Sequence, residues 1–330
     1  TPKPSSAASD VYKRQVLGLV GESGAGKSTI GNSVINLLEP PGLISGGEII
    51  FDGTRIDQLS NEEMRKIRGT KIGTIFQDPQ TSLNPLMTIG KQLSETLIET
   101  LKISGASARE KSIELLDSVG IPDPEPRLNA YPHQFSGGMR QRVVIALALA
   151  GDPDLIIADE PTTALDVSIQ KQILDLMKSL CKQRNLGVII VTHDIGVIAE
   201  IADRVAVMYN GQLVEQGEVT QVLQKPKHDY TKSLISAVPS GDQKLHRFTV
   251  VDYIDGSTEK VTLENVSDHW LSRNKPSRTH DIAVSVKNLS IEFSIRKALF
   301  RKNRISLKAV DDVSIEIKTG ESFGLVGAVS

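Results

Sequence analysis

A nine-residue segment near the start of the chain constrains its fold more than any other feature. Residues 21–29 read GESGAGKST and match the pattern G-x-x-x-x-G-K-[ST] at every position. An apolar run, Val16–Val20, precedes the segment, and a helical pattern follows it. Strand, glycine loop and helix are the local structure that a phosphate-binding loop requires. The segment therefore predicts such a loop, and the flanking elements argue against an ordinary glycine-rich turn.

The residue types in this loop suit the binding of a phosphate chain. Glycines let the backbone bend so that successive N–H groups point at one anion, and a helix N-terminus adds a partial positive charge. Lys27 can reach the β- and γ-phosphates of a nucleotide, and Ser28 can offer its hydroxyl to Mg²⁺. The predicted binding residues of the loop are Gly21, Glu22, Ser23, Gly24, Ala25, Gly26, Lys27, Ser28 and Thr29.

Composition and charge limit the class of protein. The chain has 330 residues, 39% hydrophobic residues and a net charge of −2, which is ordinary for a soluble globular protein and gives no support to a nucleic-acid partner. Cys181 is the single cysteine, so a disulfide framework and a cysteine-ligated zinc or iron–sulfur site are excluded within the chain. No apolar run approaches the roughly 20 residues of a membrane span. We therefore expect a cytoplasmic protein that meets a membrane through a partner.

The two ends of the chain differ from the rest. Residues 1–15 are rich in Ser, Ala and Pro and close on SDVYKRQ, and residues 328–330 read AVS. Both are similar to a translated sequencing adapter, so we interpret residues 1–15 as a foreign or disordered leader. On this hypothesis the natural gene is longer at both ends.

Strand-like and helical patterns alternate through residues 16–239. This alternation predicts an α/β fold in which helices cover both faces of a mainly parallel sheet. Asp52-Gly53 and Asn210-Gly211 are turn signals that predict antiparallel β hairpins. Residues 78–150 are predicted to form an inserted helical subdomain. At the start of this subdomain, the prolines and the asparagine of residues 77–85 predict a loop.

The chain after residue 239 is more polar and less regular. Residues 240–281 are predicted as a linker, with a β hairpin formed by residues 248–254 and 259–266. The sequence GLVG of residues 18–21 recurs at residues 324–327, after two strand-like stretches at 282–293 and 309–317. We therefore predict that residues 282–327 begin a second copy of the first domain.

Several polar side chains follow buried strands of the predicted sheet. Asp159 and Glu160 close one apolar strand, where Asp159 can hold Mg²⁺ through water and Glu160 can orient or deprotonate an attacking water. His193 and Gln77 also end strands, and the Gln77 amide can touch both metal and water. Because parallel strands share one carboxyl edge, we expect these side chains in one crevice with the Ser28 hydroxyl. Solvated acids and a structural histidine are the alternatives.

A second helix start has the features of an anion site. Ser136, Gly137 and Gly138 are small residues that let a ligand approach the N-terminus of the following helix. One phosphate cannot easily lie under this helix end and under the loop of residues 21–28 in the same subunit. We therefore infer that this segment closes over a nucleotide on a partner domain, with an ordinary helix start as the alternative.

Together these residues resemble the ATP-binding cassette (ABC) ATPases, a group of P-loop NTPases, over residues 16–239. The segment FSGGMRQ at 135–141 is similar to the family signature, with Phe135 and Met139 in place of its usual Leu and Gln. By this resemblance Gln77 is the Q-loop glutamine, His193 the switch histidine, and Asp166 a nucleotide-site residue of the D-loop. The resemblance implies ATP and Mg²⁺ as cofactors and a second ABC ATPase domain as partner.

Three stretches, residues 76–85, 131–142 and 226–234, resemble the oligopeptide/dipeptide importer branch of this family. This resemblance implies an ATP-hydrolysing motor for peptides or related small solutes, on the cytoplasmic face of the bacterial inner membrane. It also implies two transmembrane permease subunits and an external solute-binding protein as partners. Dipeptides, longer peptides, glutathione-like thiols and nickel chelates stay open as cargo.

Two points qualify that interpretation. The family's adenine-stacking aromatic lies upstream of the phosphate-binding loop, within the foreign-looking residues 1–15, and we do not assign Tyr12 to that role. The alternative function is a non-transport twin-cassette protein, such as a ribosome-associated factor. That class has a long, basic helical linker, whereas residues 240–281 are mixed in charge.

Overall fold

The structure, a computed structural model, consists of two units. Residues 1–259 form the first unit and residues 260–330 the second. The structure describes residues 15–163, 165–236, 282–294, 306–319, 321 and 323–325. The predicted leader lies outside the described residues except for Gln15, and the hairpin predicted within the linker lies entirely outside them.

The first unit is built on a six-stranded, mainly parallel sheet. The strands of this unit are β1 (Val16–Val20), β2 (Ile50–Phe51), β3 (Thr54–Arg55), β4 (Ile72–Ile75), β5 (Leu155–Asp159), β6 (Gly187–Thr192), β7 (Arg204–Tyr209) and β8 (Gln212–Glu218). The sheet has the order β4-β5-β6-β1-β7-β8, and β2 with β3 forms a separate hairpin. The neighbouring strands β4, β5, β6, β1 and β7 are parallel to one another. Strand β8 lies at one edge and pairs antiparallel with β7. The predicted fold class, including both hairpins, is confirmed.

Side chains of each central strand alternate between two apolar cores. On β6, Val188 and Ile190 belong to one core, whereas Ile189 and Val191 belong to the other. Every residue of β6 is buried. A strand that is covered on both faces reads as a continuous apolar run, which is why the periodicity of two is hidden in the sequence.

Helices cover both faces of this sheet. They are α1 (Lys27–Val34), α2 (Asn61–Ile67), α3 (Pro79–Ser82), α4 (Ile89–Leu101), α5 (Gly105–Ser118), α6 (Pro124–Arg127), α7 (Gly137–Leu149), α8 (Val167–Gln183), α9 (Ile195–Ile201), α10 (Val219–Gln224) and α11 (Asp229–Ser236). Helices α1 and α2 pack on the core that contains Ile189, and α7, α8 and α9 on the core that contains Ile190. In the described part of the chain, no helix is both long enough and apolar enough to cross a membrane.

The prediction of a loop over residues 77–85 is wrong for its middle part. Residues 79–82 form one turn of helix, α3. Proline is tolerated at the first helical position, where its missing N–H has no partner to lose. Asp78 caps the turn, because its Oδ1 accepts the N–H of Gln80 at 2.8 Å. Pro79, one of the two prolines on which the loop prediction rested, is therefore the first residue of a helix.

The second unit contains two long strands. β9 (Ile282–Ser294) and β10 (Ser306–Lys318) pair antiparallel, with several register shifts. Both strand predictions in this region are confirmed. Residues 323–325 lie outside any helix or strand. The interpretation of this unit as the start of a second copy of the first domain stays a prediction.

The buried strand β6 yields a test of the fold. Ile190 is 0% exposed between β5 and β1. We expect Ile190→Ala to lower the free energy of unfolding by about 2–5 kcal/mol, because it removes buried methyl groups and leaves a cavity. Urea unfolding measures the change. Leu86→Ala is the control, since Leu86 is 85% exposed. An equal fall in the free energy of unfolding in the two variants would contradict the burial of Ile190.

Candidate functional site

The phosphate-binding loop connects the C-terminal end of β1 to α1. Gly24 and Gly26 have φ angles of +84° and +92°, in the left-handed region that favours glycine. A Cβ atom at Gly21 would lie 2.2 Å from the backbone oxygen of Met208. Residues 21–26 form the loop itself, and residues 27–29 form the first turn of α1. The glycines are therefore needed for the shape of the loop, as the motif predicts.

Lys27 lies against the backbone of this loop. Its side-chain nitrogen, Nζ, donates hydrogen bonds to the carbonyl oxygens of Gly21 at 2.9 Å and Glu22 at 2.7 Å. Burial lowers the pKa of Lys27, and the charges of Glu160 and Asp159 act in the opposite direction. A phosphate that binds the loop therefore competes with two backbone carbonyls for this ammonium group.

Ser28 and Asp159 form a pair of oxygen ligands beside the loop. The Ser28 hydroxyl donates to Asp159 Oδ1 at 3.0 Å, which joins α1 to the end of β5. Burial raises the pKa of Asp159, although the Ser28 hydrogen bond acts to lower it. Within the described residues, no three His, Cys, Asp or Glu side chains are grouped to hold a metal ion. A hydroxyl and a carboxylate nevertheless fit Mg²⁺, which takes few protein ligands together with phosphate oxygens and water.

Glu160 occupies the residue after β5 and is contacted by three side chains. Its Oε1 lies 2.8 Å from His193 Nδ1. Its Oε2 accepts hydrogen bonds from Gln77 Nε2 at 2.8 Å and from the Thr163 hydroxyl at 3.0 Å. The backbone of Glu160 has φ +45°, an uncommon conformation for a residue with a side chain. Such residues cluster at functional sites, where neighbouring contacts hold them.

These contacts determine the charge of Glu160. Burial acts to raise its pKa, but the hydrogen bonds from His193 and Thr163 outweigh burial and lower the pKa below its ordinary value. The carboxylate is therefore ionised at neutral pH. The three donors fix the position of an ionised carboxylate, which can accept a hydrogen bond or a proton from a positioned water.

The structure brings together the three residues that were predicted to be catalytic. Gln77 follows β4, Glu160 follows β5, and His193 follows β6, so neighbouring strands deliver all three. Gln77 was predicted to contact metal and water. In the structure its amide nitrogen is hydrogen-bonded to Glu160, and its role toward a metal stays a prediction.

The start of α7, formed by Ser136, Gly137 and Gly138, lies against the start of α8. The Ser136 hydroxyl caps α7 by accepting the Met139 N–H at 3.3 Å. A Cβ atom at Gly138 would lie 2.6 Å from a methyl group of Ile169, so the first turns of α7 and α8 are in close contact. Asp166 precedes α8 as its N-cap residue and makes no side-chain cap hydrogen bond.

Two further residues, Thr163 and Tyr230, contact the site and were not predicted. Thr163 lies three residues after Glu160, in a turn closed by the hydrogen bond from its N–H to the Glu160 carbonyl at 3.3 Å. Its position in this turn was a signal that could have identified it. The Tyr230 hydroxyl accepts the N–H of Glu22 at 3.0 Å across 208 residues of sequence. Nothing local in the sequence indicates that contact.

Comparison with known proteins agrees with this geometry. Residues 5–163 match the family model described as ABC transporter, and residues 214–261 match the model described as oligopeptide/dipeptide transporter, C-terminal region. The chain is 54% identical over 238 residues to the oligopeptide transport ATP-binding protein OppD of Bacillus subtilis, over 71% of this chain and 66% of that protein. It is 50% identical over 244 residues to the dipeptide transport ATP-binding protein DppD of the same organism, over 74% and 73%.

A third relative aligns with nearly the whole chain. The peptidoglycan transport ATP-binding protein YejF of Agrobacterium fabrum is 42% identical over 319 residues, which are 96% of this chain and 53% of that protein. The chain therefore spans about half the length of YejF and just under two thirds of OppD.

Solved structures show the same fold. The dimeric ATP-binding cassette MJ0796, in a post-hydrolysis state bound to ADP and Pi, superimposes with a TM-score of 0.56 at 33% identity, over 64% of this chain and 88% of that one. For cbiO1 from Clostridium perfringens, part of the ABC transporter complex cbiONQ, the TM-score is 0.57 at 29% identity, over 65% and 81%. The chain belongs to the family of ABC transporter ATP-binding proteins. Within that family it is similar to the subunits of oligopeptide and dipeptide transport.

The contact between His193 and Glu160 predicts a pH dependence. We expect the pKa of Glu160 to lie below its ordinary value of 4.5, and we expect His193→Ala to raise it by removing a donor to the charged form. Because the folded pKa is the lower one, the stabilisation is present above the unfolded pKa and is lost as the pH falls through the folded pKa. A ¹³C NMR titration measures the midpoint, with Glu160→Gln to assign the signal. The same midpoint with and without His193 would contradict this cause.

Proposed function

We propose that this chain binds ATP and Mg²⁺ and hydrolyses ATP as the motor of an ABC importer for peptides or related small solutes. One observation carries the proposal: an ionised Glu160, held by Gln77, Thr163 and His193, directly follows the Asp159 that pairs with the phosphate-binding loop. The similarity to OppD and DppD supports the peptide class of solute. The match at residues 214–261 favours the importer over a ribosome-associated factor.

In the proposed reaction the loop holds the phosphates of ATP. Its N–H groups bind the phosphate oxygens, and Lys27 exchanges the carbonyls of Gly21 and Glu22 for them. Ser28 and Asp159 would hold Mg²⁺, which when bound neutralises phosphate charge. These residues position the γ-phosphate for attack and do not form covalent bonds to it.

Glu160 acts on the attacking water. Its carboxylate accepts a proton from the water, while the water oxygen bonds to the γ-phosphorus and the bond to ADP breaks, so that ADP and phosphate are released. His193 and Gln77 hold the carboxylate in place. A nucleotide whose γ-phosphate contacts either of them also changes how Glu160 is held. This is how these two residues would sense the γ-phosphate.

The second nucleotide-binding group is proposed to act on a partner. Ser136, Gly137, Gly138 and Asp166 form a group at the starts of α7 and α8, whereas the loop contacts Asp159. We propose that this group closes over a nucleotide held by another ABC ATPase domain. The dimeric state of MJ0796 bound to ADP and Pi supports that arrangement for this fold.

The domain plan and the further partners follow from the same proposal. Residues 16–239 form the ATPase domain, residues 240–281 a linker, and residues 282–327 the start of a second such domain in the same natural chain, with a separate homologous subunit as the alternative partner. The alignment with YejF over 96% of the chain supports the fused arrangement. Two transmembrane permease subunits hold the motor at the cytoplasmic face of the bacterial inner membrane, and an external solute-binding protein delivers the solute.

The role of Glu160 can be tested in the whole natural protein. We expect Glu160→Gln to lower ATP turnover by about 10²- to 10⁴-fold, because the amide cannot accept the proton of water. ATP binding is retained, so a closed, ATP-bound state accumulates. Phosphate release measures turnover, and the amount of radiolabelled ATP that stays bound after removal of free nucleotide measures the closed state. Lys27→Ala is the comparison variant, since it should lose ATP binding and the closed state together. Unchanged turnover in Glu160→Gln would reject Glu160 as the base.

The action of Gly137 on a partner has a separate test. A Cβ atom at Gly137 would lie 3.7 Å from Leu165, an ordinary contact, so a side chain can begin at this position without a clash at its Cβ. We expect this variant to bind ATP but not hydrolyse it, because the new carboxylate repels the partner's γ-phosphate. Gly137→Ala is the uncharged control.

Mixing the variants distinguishes action within one chain from action between chains. For the arrangement in which the partner domain is supplied by a separate copy, a dimer of Gly137→Asp with Lys27→Ala contains one composite site with an intact loop and an intact Gly137. We expect partial recovery of hydrolysis in dimers of these two inactive chains. If Gly137 acts on its own loop, such dimers remain inactive.

A further inference from the structure

The side chain of Tyr230 reaches the phosphate-binding loop from the end of the first domain. Tyr230 lies on α11 and is 1% exposed. Its hydroxyl oxygen accepts the N–H of Glu22, the second residue of the loop, at 3.0 Å. A backbone group of the loop is therefore held by a side chain that is 208 residues away in sequence.

Glu22 is held from two sides, and only one side changes when phosphate binds. Its carbonyl oxygen accepts from Lys27 Nζ at 2.7 Å and from the Ala25 N–H at 3.2 Å. Lys27 has to give up this carbonyl to contact a phosphate. The Glu22 N–H is donated to Tyr230, so the phosphates are expected to bind the other N–H groups of the loop. The hydrogen bond to Tyr230 can then hold Glu22 in place both before and after Lys27 turns to the nucleotide.

The position of the Tyr230 ring is itself fixed. The ring packs against Tyr209 with centroids 4.4 Å apart and planes tilted by 40°. Tyr209 ends β7, next to the two backbone groups that contact the loop. The Met208 carbonyl faces Gly21, and the Gly211 N–H donates to the Ala25 carbonyl at 3.2 Å. The ring is therefore seated on the same strand end that supports the loop.

The start of α11 is held as well. The Glu215 carboxylate on β8 accepts the N–H groups of Lys227 at 2.8 Å and His228 at 3.0 Å, just before the helix begins. Burial acts to raise the pKa of Glu215, but these backbone hydrogen bonds help to lower it below its ordinary value. A charged carboxylate thus fixes the helix that carries Tyr230.

We infer that Tyr230 is a positioning residue that holds the phosphate-binding loop through the Glu22 N–H and thereby links nucleotide affinity to the seating of α11. The inference rests on the proposed function, because it assumes that the loop binds the diphosphate group of a nucleotide. Helix α11 lies within residues 214–261, the segment that matches the oligopeptide/dipeptide transporter C-terminal region. That segment therefore contributes directly to the nucleotide site.

Tyr230→Phe tests this role, because it removes the hydroxyl and keeps the ring on Tyr209. We expect the Kd for ADP and for a non-hydrolysable ATP analogue to rise by a similar factor, roughly 3- to 10-fold, the effect of one lost hydrogen bond. Both ligands carry the phosphates that the loop holds, so equal losses are the signature of a loop effect. The kcat at saturating ATP stays at the wild-type value, whereas the KM rises. Isothermal titration calorimetry and steady-state kinetics on the whole protein measure these quantities.

A second readout reports on the hydrogen bond itself. Hydrogen exchange at the Glu22 amide should become faster in Tyr230→Phe, since its acceptor is lost. Tyr131→Phe is the matched control, because it removes the hydroxyl of a tyrosine that is 39% exposed and stacked on His133. We expect wild-type affinity and exchange in that control.

The outcomes separate this inference from the proposed function. Unchanged Kd values and unchanged exchange at Glu22 in Tyr230→Phe, with a wild-type protein that binds ATP, would overturn the inference and leave the ATPase proposal intact. A fall in kcat with unchanged Kd would also overturn it, because Tyr230 would then act on the reaction and not on the loop. A wild-type protein that binds neither ADP nor the ATP analogue would overturn both.

Discussion

Parallel pairing of β4, β5 and β6 is the constraint on which the site depends. In parallel strands the carboxyl ends lie at one edge, and the register places Ile75 beside Ala158 and Ala158 beside Ile190. The residues that follow these strands, Gln77, Glu160 and His193, therefore meet in space although 83 and 33 residues of sequence separate Glu160 from its two partners. The two apolar cores hold this edge rigid, because the central strands are buried on both faces. Without that packing the carboxylate of Glu160 would have no fixed position.

The charged side chains of the site are stabilised by hydrogen bonds and by one another. The buried ammonium group of Lys27 is satisfied by two loop carbonyls and lies in the field of Asp159 and Glu160. Asp159 is satisfied by Ser28, and Glu160 by three donors. The charged side chains of Lys27, Asp159 and Glu160 thus already have protein partners. Phosphate binding exchanges the two carbonyl partners of Lys27 for phosphate oxygens and places the phosphates on the backbone N–H groups of the loop, so affinity depends on how firmly that backbone is held. The contacts of the loop with β7 and α11 are therefore expected to affect its affinity for a nucleotide.

The features that could be predicted from the sequence are those for which a short pattern has one physical explanation. The glycine loop, the acids after β5 and the strand–helix alternation are short patterns whose physical reasons lie within a few residues. The loop prediction for residues 77–85 was wrong at α3, because Pro79 and Asp78 can start a helix as well as interrupt one. Thr163 was missed although it lies only three residues after Glu160, and Tyr230 was missed because a lone tyrosine carries no pattern that indicates a partner 208 residues away.

The sequence by itself determined the class of fold and the phosphate-binding loop, because backbone bending and strand burial impose their own residue patterns. The tertiary structure alone decided which polar groups touch. It joined Glu160 to Gln77, Thr163 and His193, and it joined Glu22 to Tyr230. The physical reason is that a hydrogen bond requires a separation near 3 Å, which strand order and helix packing set and which spacing along the chain does not encode.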